Sequence, residues 1–151
     1  MNRQVTRLTA ENIITAAKLY QAVFAQAPWH ETHELDHIVQ YMTQLLAMNT
    51  NRCYLYWINN KVVGVALGFS KPWHQGLEYQ LLDLFVAESQ QKKGIGTLFL
   101  HMIKADLSAA NISHLILETD EGTPAEQFYY KNGFTSQRNQ RSLTLVSKTA
   151  N

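Results

Sequence analysis

The sequence predicts an α/β fold in which a mixed, mostly antiparallel central sheet carries helices on both faces. Helical and strand patterns alternate in the order β-α-α-β-β-β-α-β-α-β-β. Three consecutive strands therefore precede a strand–helix–strand unit, which adds a parallel neighbour to an otherwise antiparallel sheet. This order does not fit an all-parallel Rossmann sheet.

Length and composition limit the remaining possibilities. The chain of 151 residues has the size of one domain, so we expect 1–151 to form a single domain. Apolar residues make up 46% of it, whereas the net charge is only +1, which argues against nucleic-acid binding through bulk positive charge. No apolar run approaches the ~20 residues that span a bilayer. With one cysteine and no secretory signal pattern, we expect a soluble cytoplasmic protein without a membrane role.

The first half of the chain predicts one short strand and two helices. After a strand at 5–8, Thr9 is placed to cap a helix over 10–26, which Pro28 ends. A second helix is predicted over 34–48 from its apolar stripe.

Residues rich in β-branched and aromatic side chains follow. They predict strands at 53–58 and 61–69, joined by a tight turn at Asn59-Asn60 because asparagine tolerates positive φ. A loop over 71–76 then leads into a long strand at 77–86.

The second half predicts alternating elements. A helix over 94–110 and a strand over 113–119 are followed by a short helix over 124–131. Two further segments, 134–137 and 142–147, are expected to close the chain as a hairpin.

The most informative segment is the junction between the long strand and the helix that begins near Gly94. Two glycines, Gly94 and Gly96, allow close approach of a ligand to the backbone. The first helical turn leaves N–H groups without intrahelical partners, which suits a phosphate or pyrophosphate. Lys92 and Lys93 add positive charge.

Two common phosphate-binding motifs do not fit this junction. The dinucleotide fingerprint fails because Phe99 stands where its third glycine would be. The P-loop fails because no Gly-Lys-Ser/Thr is present.

Gln91-Lys92-Lys93-Gly94-Ile95-Gly96 resembles the Gln/Arg-x-x-Gly-x-Gly/Ala signature of the GNAT N-acetyltransferase superfamily. Downstream, the segment 124–134 is similar to the family's Ala-x-x-Phe/Leu-Tyr-x-Lys-x-Gly-Phe sequence. The two motifs occur in the family's order, and the predicted elements match its fold along nearly the whole chain. The resemblance implies that acetyl-CoA is the cosubstrate.

The resemblance also assigns residues to that cosubstrate. It implies that the backbones of Phe85 and Val86 bind the pantetheine arm and polarise the acetyl carbonyl. It places the pyrophosphate on a loop and helix start whose members are Gln91, Lys92, Lys93, Gly94, Ile95, Gly96 and Thr97.

By the same resemblance Tyr129, four residues before Gly133, protonates the departing thiolate, and Tyr130 points elsewhere because neighbouring helical residues lie ~100° apart. The alternative is that Phe128, Tyr129 and Tyr130 only pack a short helix. Many family members carry an asparagine seven residues before this tyrosine, where this chain has Gly122.

Acidic residues in the long apolar strand are the candidates for the amine side of the reaction. Asp83, and also Glu78, can accept a proton from the amine or attract a cationic substrate. An equally weighted alternative is a carboxylate that faces solvent or binds a backbone amide.

Histidine and cysteine patterns carry less information. His30, His33 and His37 have helical spacing, but exposed or substrate-lining histidines are more frequent than metal ligands, and we expect no metal site. Cys53 is interpreted as a core residue, which favours direct transfer over an acyl-enzyme. The resemblance implies that the loops carrying Trp29, Trp73 and His74 border the acceptor, where these side chains either shape an aromatic pocket or only cover the core.

These observations predict an N-acetyltransferase that transfers the acetyl group of acetyl-CoA to a primary amine of a small molecule or peptide, by direct attack in a ternary complex. The alternative is a non-catalytic acyl-CoA-binding module that senses the cofactor or regulates a partner. A homodimer is compatible with the resemblance.

Overall fold

A computed structural model describes residues 2–147 and shows a sheet flanked by helices. Two short 3-10 helices, Ala10–Asn12 and Glu88–Gln90, precede α1 and α3. The strands and α-helices are β1 (Arg3–Arg7), α1 (Ile13–Phe24), α2 (Leu35–Leu46), β2 (Tyr54–Ile58), β3 (Lys61–Trp73), β4 (Gly76–Val86), α3 (Ile95–Ala109), β5 (Ile112–Leu117) and α4 (Pro124–Lys131).

The sheet has the strand order β1-β2-β3-β4-β5. The first four strands pair antiparallel, and β5 joins β4 in parallel. The crossover through α3 supplies the parallel neighbour. The mixed, mostly antiparallel sheet predicted from the sequence is therefore confirmed.

Strand β2 shows how the helices are divided between the two faces. Leu55 lies in the core that α1 and α2 cover, whereas the Tyr56 ring packs edge-on against Phe99 of α3 at 5.3 Å. The Tyr54 hydroxyl donates to Asp106 Oδ2 of α3 at 2.6 Å. Because successive strand residues point to opposite faces, α1 and α2 cover one face of the sheet and α3 covers the other.

A β-bulge in β4 changes which of its residues face α1 and α2. Leu67 of β3 pairs with Asp83, but the next residue, Gly68, pairs with Leu81, so Leu82 is extra. Without this insertion Asp83 would share a face with Leu81. With it, Asp83 lies beside Leu67 on the face that α1 and α2 cover.

Strands β4 and β5 pair over only part of the length of β4. Their last paired residues are Leu81 and Leu117, while β4 stays paired with β3 beyond the bulge at Leu82 as far as Val86. The end of β4 is thus bonded on one side only. Its other side offers backbone groups to a ligand.

Two local predictions in this part of the chain need correction. Thr9 makes no side-chain cap bond to the first helical turn; its hydroxyl donates to Asn12 Oδ1 at 3.3 Å, and α1 itself starts only at Ile13. The predicted loop over 71–76 is mostly strand, because β3 runs to Trp73. Pro72 is tolerated there, since the side of β3 away from β4 has no described strand partner beyond Phe69. The Asn59-Asn60 turn is confirmed, with φ values of 50° and 66°.

Residue contacts divide the chain into two compact units, and the second begins at Thr119. Within this second unit, α4 has a built N-terminus: Thr123 Oγ1 accepts from the Glu126 N–H at 3.3 Å, and Pro124 occupies the first helical turn. Glu126 Oε1 in turn accepts from the Gly122 N–H at 3.0 Å. The predicted bounds of this helix are confirmed.

The predicted closing hairpin is wrong for the residues described. Neither 134–137 nor 142–147 forms a strand. The apolar side chains Leu143 and Leu145 are 89% and 92% exposed, so they have no sheet against which to pack. An alternating pattern favours a strand only where a partner covers its apolar face, and a two-stranded hairpin alone is marginal in water.

Within residues 2–147, no helix combines the length and the apolar character needed to cross a bilayer.

Glu78 is a buried carboxylate at the start of β4. Its side chain binds His114 Nδ1 at 2.7 Å and Lys71 Nζ at 3.1 Å, and Trp73 stacks on His114 at 4.2 Å. Burial acts to raise the pKa of Glu78, but the hydrogen bonds from His114 and Lys71 outweigh it and lower the pKa. A lowered pKa means that this carboxylate stabilises the fold above the ordinary carboxyl range, and that the contribution is lost as the pH falls through the folded-state pKa.

We therefore predict that Glu78→Gln reduces the free energy of unfolding by about 1–3 kcal/mol at pH 7, because a buried charged pair loses its anion. The difference from wild type should shrink only as the pH falls below the ordinary carboxyl range and through the lowered folded-state pKa, where the wild-type carboxyl is also protonated. Urea denaturation at pH 7 and at about pH 2 measures both values. Glu88→Gln, at an exposed carboxylate, is the control. A gap of equal size at both pH values would mean that packing, not charge, is lost.

Candidate functional site

The segment between β4 and α3 is held against the end of β4 by specific hydrogen bonds. The Ala87 N–H donates to the Val63 carbonyl at 2.7 Å, and Gln91 Nε2 donates to the Val86 carbonyl at 2.9 Å. Lys92 and Gly94 have positive φ angles of 62° and 77°. The side chain of Gln91 thus fixes the turn, and the left-handed backbone angles of Lys92 and Gly94 direct the chain into α3.

The first turn of α3 forms an anion-binding arrangement. The first intrahelical bond runs from the Leu98 N–H to the Gly94 carbonyl at 3.1 Å. The N–H groups of Ile95, Gly96 and Thr97 precede it and lie at the positive end of the helix dipole. The Ile95 side chain is only 3% exposed, so it anchors the helix in the core and only its backbone can reach a ligand.

The charged and small residues of this turn keep the helix start accessible. Lys92, Lys93 and Gly94 are exposed, and a Cβ added to Gly94 would meet nothing within 4 Å. Glycine is therefore required at Gly94 by the backbone angle and not by lack of space. The arrangement fits the phosphates of a nucleotide cofactor.

The end of β4 adds backbone groups to this region. The Phe85 side chain is 4% exposed and packs edge-on against Tyr20 and Phe24, so it belongs to the core, as expected. The bond between Ala87 and Val63 directs the backbone groups of Ala87 towards β3. Since these directions alternate along a strand, Val86 directs its N–H and carbonyl to the open side, where Gln91 already binds the carbonyl and the N–H is left for a ligand.

Asp83 faces α2 from this same strand. The Tyr41 hydroxyl donates to Asp83 Oδ2 at 2.6 Å, the usual length of a hydrogen bond from a hydroxyl to a carboxylate. Burial raises the pKa of Asp83, the bond from Tyr41 opposes that rise, and the Glu31 carboxylate adds to it. The net result is a carboxyl whose pKa is raised, which makes it a better proton acceptor than an ordinary aspartate.

A cavity of about 240 Å³ lies between α1 and α2 next to this carboxylate. Its lining is mainly aromatic and carries no lysine or arginine: Tyr20, His33, His37, Ile38 and Tyr41. Burial and the nearby Asp83 and Glu31 carboxylates raise the pKa of Tyr20 to about 12. A cavity with aromatic walls and neighbouring carboxylates favours a cation.

The loop between α1 and α2 forms one side of this cavity. The Glu31 N–H donates to the Phe24 carbonyl at 2.8 Å, and Gln21 Nε2 donates to the His33 carbonyl at 2.9 Å. His33 Nε2 lies 2.7 Å from Glu31 Oε1. Trp29 packs edge-on against Phe24 at 5.0 Å, beside the same core.

Two histidines of the predicted spacing, His33 and His37, line the cavity, and His30 is not among its lining residues. Among residues 2–147, no group of three or more histidine, cysteine, aspartate or glutamate side chains is arranged to hold a metal ion. Sequence reasoning missed Tyr41 because it flanks the apolar stripe of α2. The only signal was a tyrosine three residues after Ile38 and directly before Met42, both of which are buried.

Two other candidates lie away from this cavity. Glu78 precedes Asp83 by about 16 Å along β4, and its two partners satisfy it there. Cys53 is fully buried, and burial raises the pKa of its thiol, so it is unsuited to act as a nucleophile.

A larger groove of about 320 Å³ lies between β1 and α3. Its carboxylate, Asp106, already accepts hydrogen bonds from Arg52 and Tyr54, each at 2.6 Å. With its charge satisfied, this groove offers less reactive chemistry than the Asp83 cavity.

In the second unit, the two adjacent tyrosines of α4 have different surroundings. The Tyr129 ring packs edge-on against Phe128 and Phe134, each at 5.3 Å, and is half-buried. Tyr130 is 45% exposed and its hydroxyl lies 3.5 Å from Glu126 Oε2. The two side chains therefore leave the helix in different directions, as their spacing requires.

Structures of known proteins share this fold. A possible acetyltransferase from Clostridium difficile 630 superimposes with a TM-score of 0.80 at 16% identity, covering 97% of this chain and 99% of its own. The aminoglycoside acetyltransferase meta-AAC0020 from an uncultured soil metagenomic sample, in complex with sisomicin, gives 0.70 at 17% identity, covering 99% and 97%. A GNAT family acetyltransferase from Staphylococcus aureus gives 0.73 at 12% identity, covering 97% and 99%.

No curated protein sequence matches the chain. The family comparison is decisive: the model of the acetyltransferase (GNAT) family matches residues 16–134, which is most of the chain. That span includes the turn at the start of α3, Asp83 and Tyr129. The chain belongs to the GNAT family of acetyltransferases, and it is an enzyme of the N-acetyltransferase class.

Proposed function

We propose that this enzyme transfers the acetyl group of acetyl-CoA to a primary amine of a small cationic molecule, by direct attack in a ternary complex. The observation that carries the proposal is the Asp83 carboxylate beside an aromatic cavity, on the strand whose end meets the N-terminus of α3. A peptide amine stays the second candidate acceptor. The complex of a structural neighbour with sisomicin, an aminoglycoside, supports the small-molecule class.

The first unit supplies groups that fit acetyl-CoA, the cosubstrate that the family generally uses. The free N–H groups of Ile95, Gly96 and Thr97 would bind the pyrophosphate, with Lys92 and Lys93 as counter-charges. When bound, acetyl-CoA supplies an acetyl group activated as a thioester. The side of β4 that β5 leaves open after Leu81 would accept the pantetheine arm through the backbone of Val86. The predicted contribution of the Phe85 backbone is not supported, because Phe85, like Ala87, directs its backbone groups towards β3.

Asp83 would serve the acceptor. Its carboxylate attracts the ammonium form of the amine and then takes its proton, which gives the neutral nucleophile. Tyr129 would return a proton to the departing sulfur. Holding both reactants in one complex supplies much of the rate. Direct transfer also fits the burial of the Cys53 thiol, which is not accessible as an acyl-enzyme nucleophile.

The proposed function is accompanied by expectations on location, domain organisation and partners. We expect the enzyme to act in the cytoplasm, as one domain over 1–151, without nucleic-acid or membrane partners. Self-association as a homodimer stays a prediction.

The helix-start assignment predicts that Gly96→Glu abolishes acetyl-CoA binding, because a carboxylate there repels the pyrophosphate. The fold should survive, since an acidic residue in the first turn favours the helix dipole. Gly96→Gln, of the same size without the charge, is the matched control and should bind more tightly than the glutamate variant. Calorimetry measures affinity and thermal unfolding checks the fold. Wild-type affinity in a folded glutamate variant would remove the pyrophosphate from this helix start.

The acceptor assignment predicts that Asp83→Asn lowers kcat/KM by about 10²–10⁴-fold, the usual effect of losing one acid–base group. The loss should be largest at low pH, where the amine is mostly protonated. Release of free thiol from acetyl-CoA, first with a panel of cationic amines and then with the best acceptor across pH, measures it. No release with any amine would overturn the proposed function. A variant that keeps the wild-type pH profile would remove Asp83 from the mechanism.

The assignment of the acid predicts that Tyr129→Phe lowers turnover while acetyl-CoA affinity survives, because only the hydroxyl is removed. Tyr130→Phe is the matched control on the adjacent, exposed residue and should keep its turnover. Steady-state kinetics and calorimetry on both variants make the comparison. The reverse result would mean that the two tyrosines exchange roles, and full turnover in both would exclude this helix as the source of the proton.

A further inference from the structure

We propose that Tyr41 is a positioning residue for Asp83: its hydroxyl holds one carboxylate oxygen so that the other is presented to the acceptor amine as an anion. The proposal deepens the proposed function, because it takes Asp83 as the group that receives the proton.

The position of both side chains is set by packing and not by the chain between them. The extra residue Leu82 turns Asp83 towards α2. The pairing of Asp83 with Leu67 of β3 holds the strand in that position. On α2, Ile38 and Met42 are 4% and 0% exposed, so the helix cannot rotate about its axis without uncovering them. Tyr41 therefore meets Asp83 in one orientation, across 42 residues of sequence.

The hydrogen bond from Tyr41 makes the two carboxylate oxygens of Asp83 different. Tyr41 occupies Oδ2 at 2.6 Å, and Oδ1 has no hydrogen-bond partner among the described residues. Tyr41 also lines the cavity, so the bond is made at the cavity wall. Oδ1 is therefore the carboxylate oxygen left to bind an acceptor amine.

Titratable groups reach Asp83 from several elements. Glu31 and His33 approach from the loop between α1 and α2, Tyr20 lies on α1, and the buried Cys53 thiol directly precedes β2. Of these groups and Tyr41 on α2, Tyr41 alone hydrogen-bonds Asp83. The bond acts against the effect of burial and keeps Asp83 more acidic than it would otherwise be. Burial and Asp83 raise the pKa of Tyr41 well above that of an ordinary tyrosine, so its hydroxyl keeps its proton at any assay pH.

A purely structural tyrosine would behave differently. Removing its hydroxyl would change stability or the plateau rate, but it would leave the protonation of Asp83 where it was. A positioning tyrosine sets the pH at which the base is available, and this quantity can be measured.

The test compares the pH dependence of kcat/KM in wild type, Tyr41→Phe and Tyr20→Phe with one amine acceptor, so that the titration of the amine is common to all three. Tyr41→Phe should move the acidic fall of the profile upward by about one pH unit, the shift expected when a hydrogen bond to a charged group is lost. Tyr20→Phe removes a hydroxyl from the same cavity that makes no bond to Asp83, so its acidic fall should stay in place.

A carbon-13 NMR titration of the Asp83 carboxyl in wild type and Tyr41→Phe gives the same shift without turnover, with Asp83→Asn used to assign the signal. An unchanged carboxyl titration and an unmoved acidic fall in Tyr41→Phe would overturn the proposal. If Asp83→Asn loses activity while Tyr41→Phe keeps the wild-type profile, only the role of Tyr41 is wrong. If Asp83→Asn keeps the wild-type profile, the base assignment fails first.

Discussion

The structure of the site depends on one constraint: β4 is bonded to β3 along its full length but to β5 only as far as Leu81. A strand paired on both sides has no backbone groups to offer. Once β5 ends at Leu117, the remaining residues of β4 keep their geometry from β3 while their other edge is available. Because the same strand leads directly into the turn before α3, this edge and the amides of the helix start are built by one continuous segment.

The bulge at Leu82 is the second consequence of how β4 pairs. A strand alternates its side chains strictly, so one additional residue exchanges the faces of everything beyond it. Asp83 and Phe85 are thereby placed on the face that α1 and α2 cover, where Phe85 completes the aromatic cluster with Tyr20 and Phe24. A carboxylate in such surroundings is costly unless it is hydrogen-bonded, and Tyr41 supplies the bond.

The two acidic residues of β4 show how surroundings decide whether a carboxylate has a structural role or can act as a base. Glu78 and Asp83 occur in the same apolar strand, and both are held by hydrogen bonds. Glu78 is bound by a lysine and a histidine, which lower its pKa and commit it to the fold. Asp83 is bound by a neutral hydroxyl, lies next to a second carboxylate and has a raised pKa beside a cavity. Only the second arrangement leaves a proton acceptor available.

Local chemistry was readable from the sequence wherever it depends on neighbours along the chain. The Asn59-Asn60 turn and the short helix over 124–131 need only their own backbone angles and caps. The sequence alone therefore determined the order of elements as far as α4, the mixed sheet and the family. Tertiary structure decided what depends on distant partners. The extension of β3 to Trp73 follows from pairing with β4, and the absent closing hairpin follows from the lack of a covering surface for Leu143 and Leu145. The contact between Tyr41 and Asp83 follows from a one-residue bulge that no periodicity reveals, because the choice of face in a strand is made by register with its neighbour and not by the strand itself.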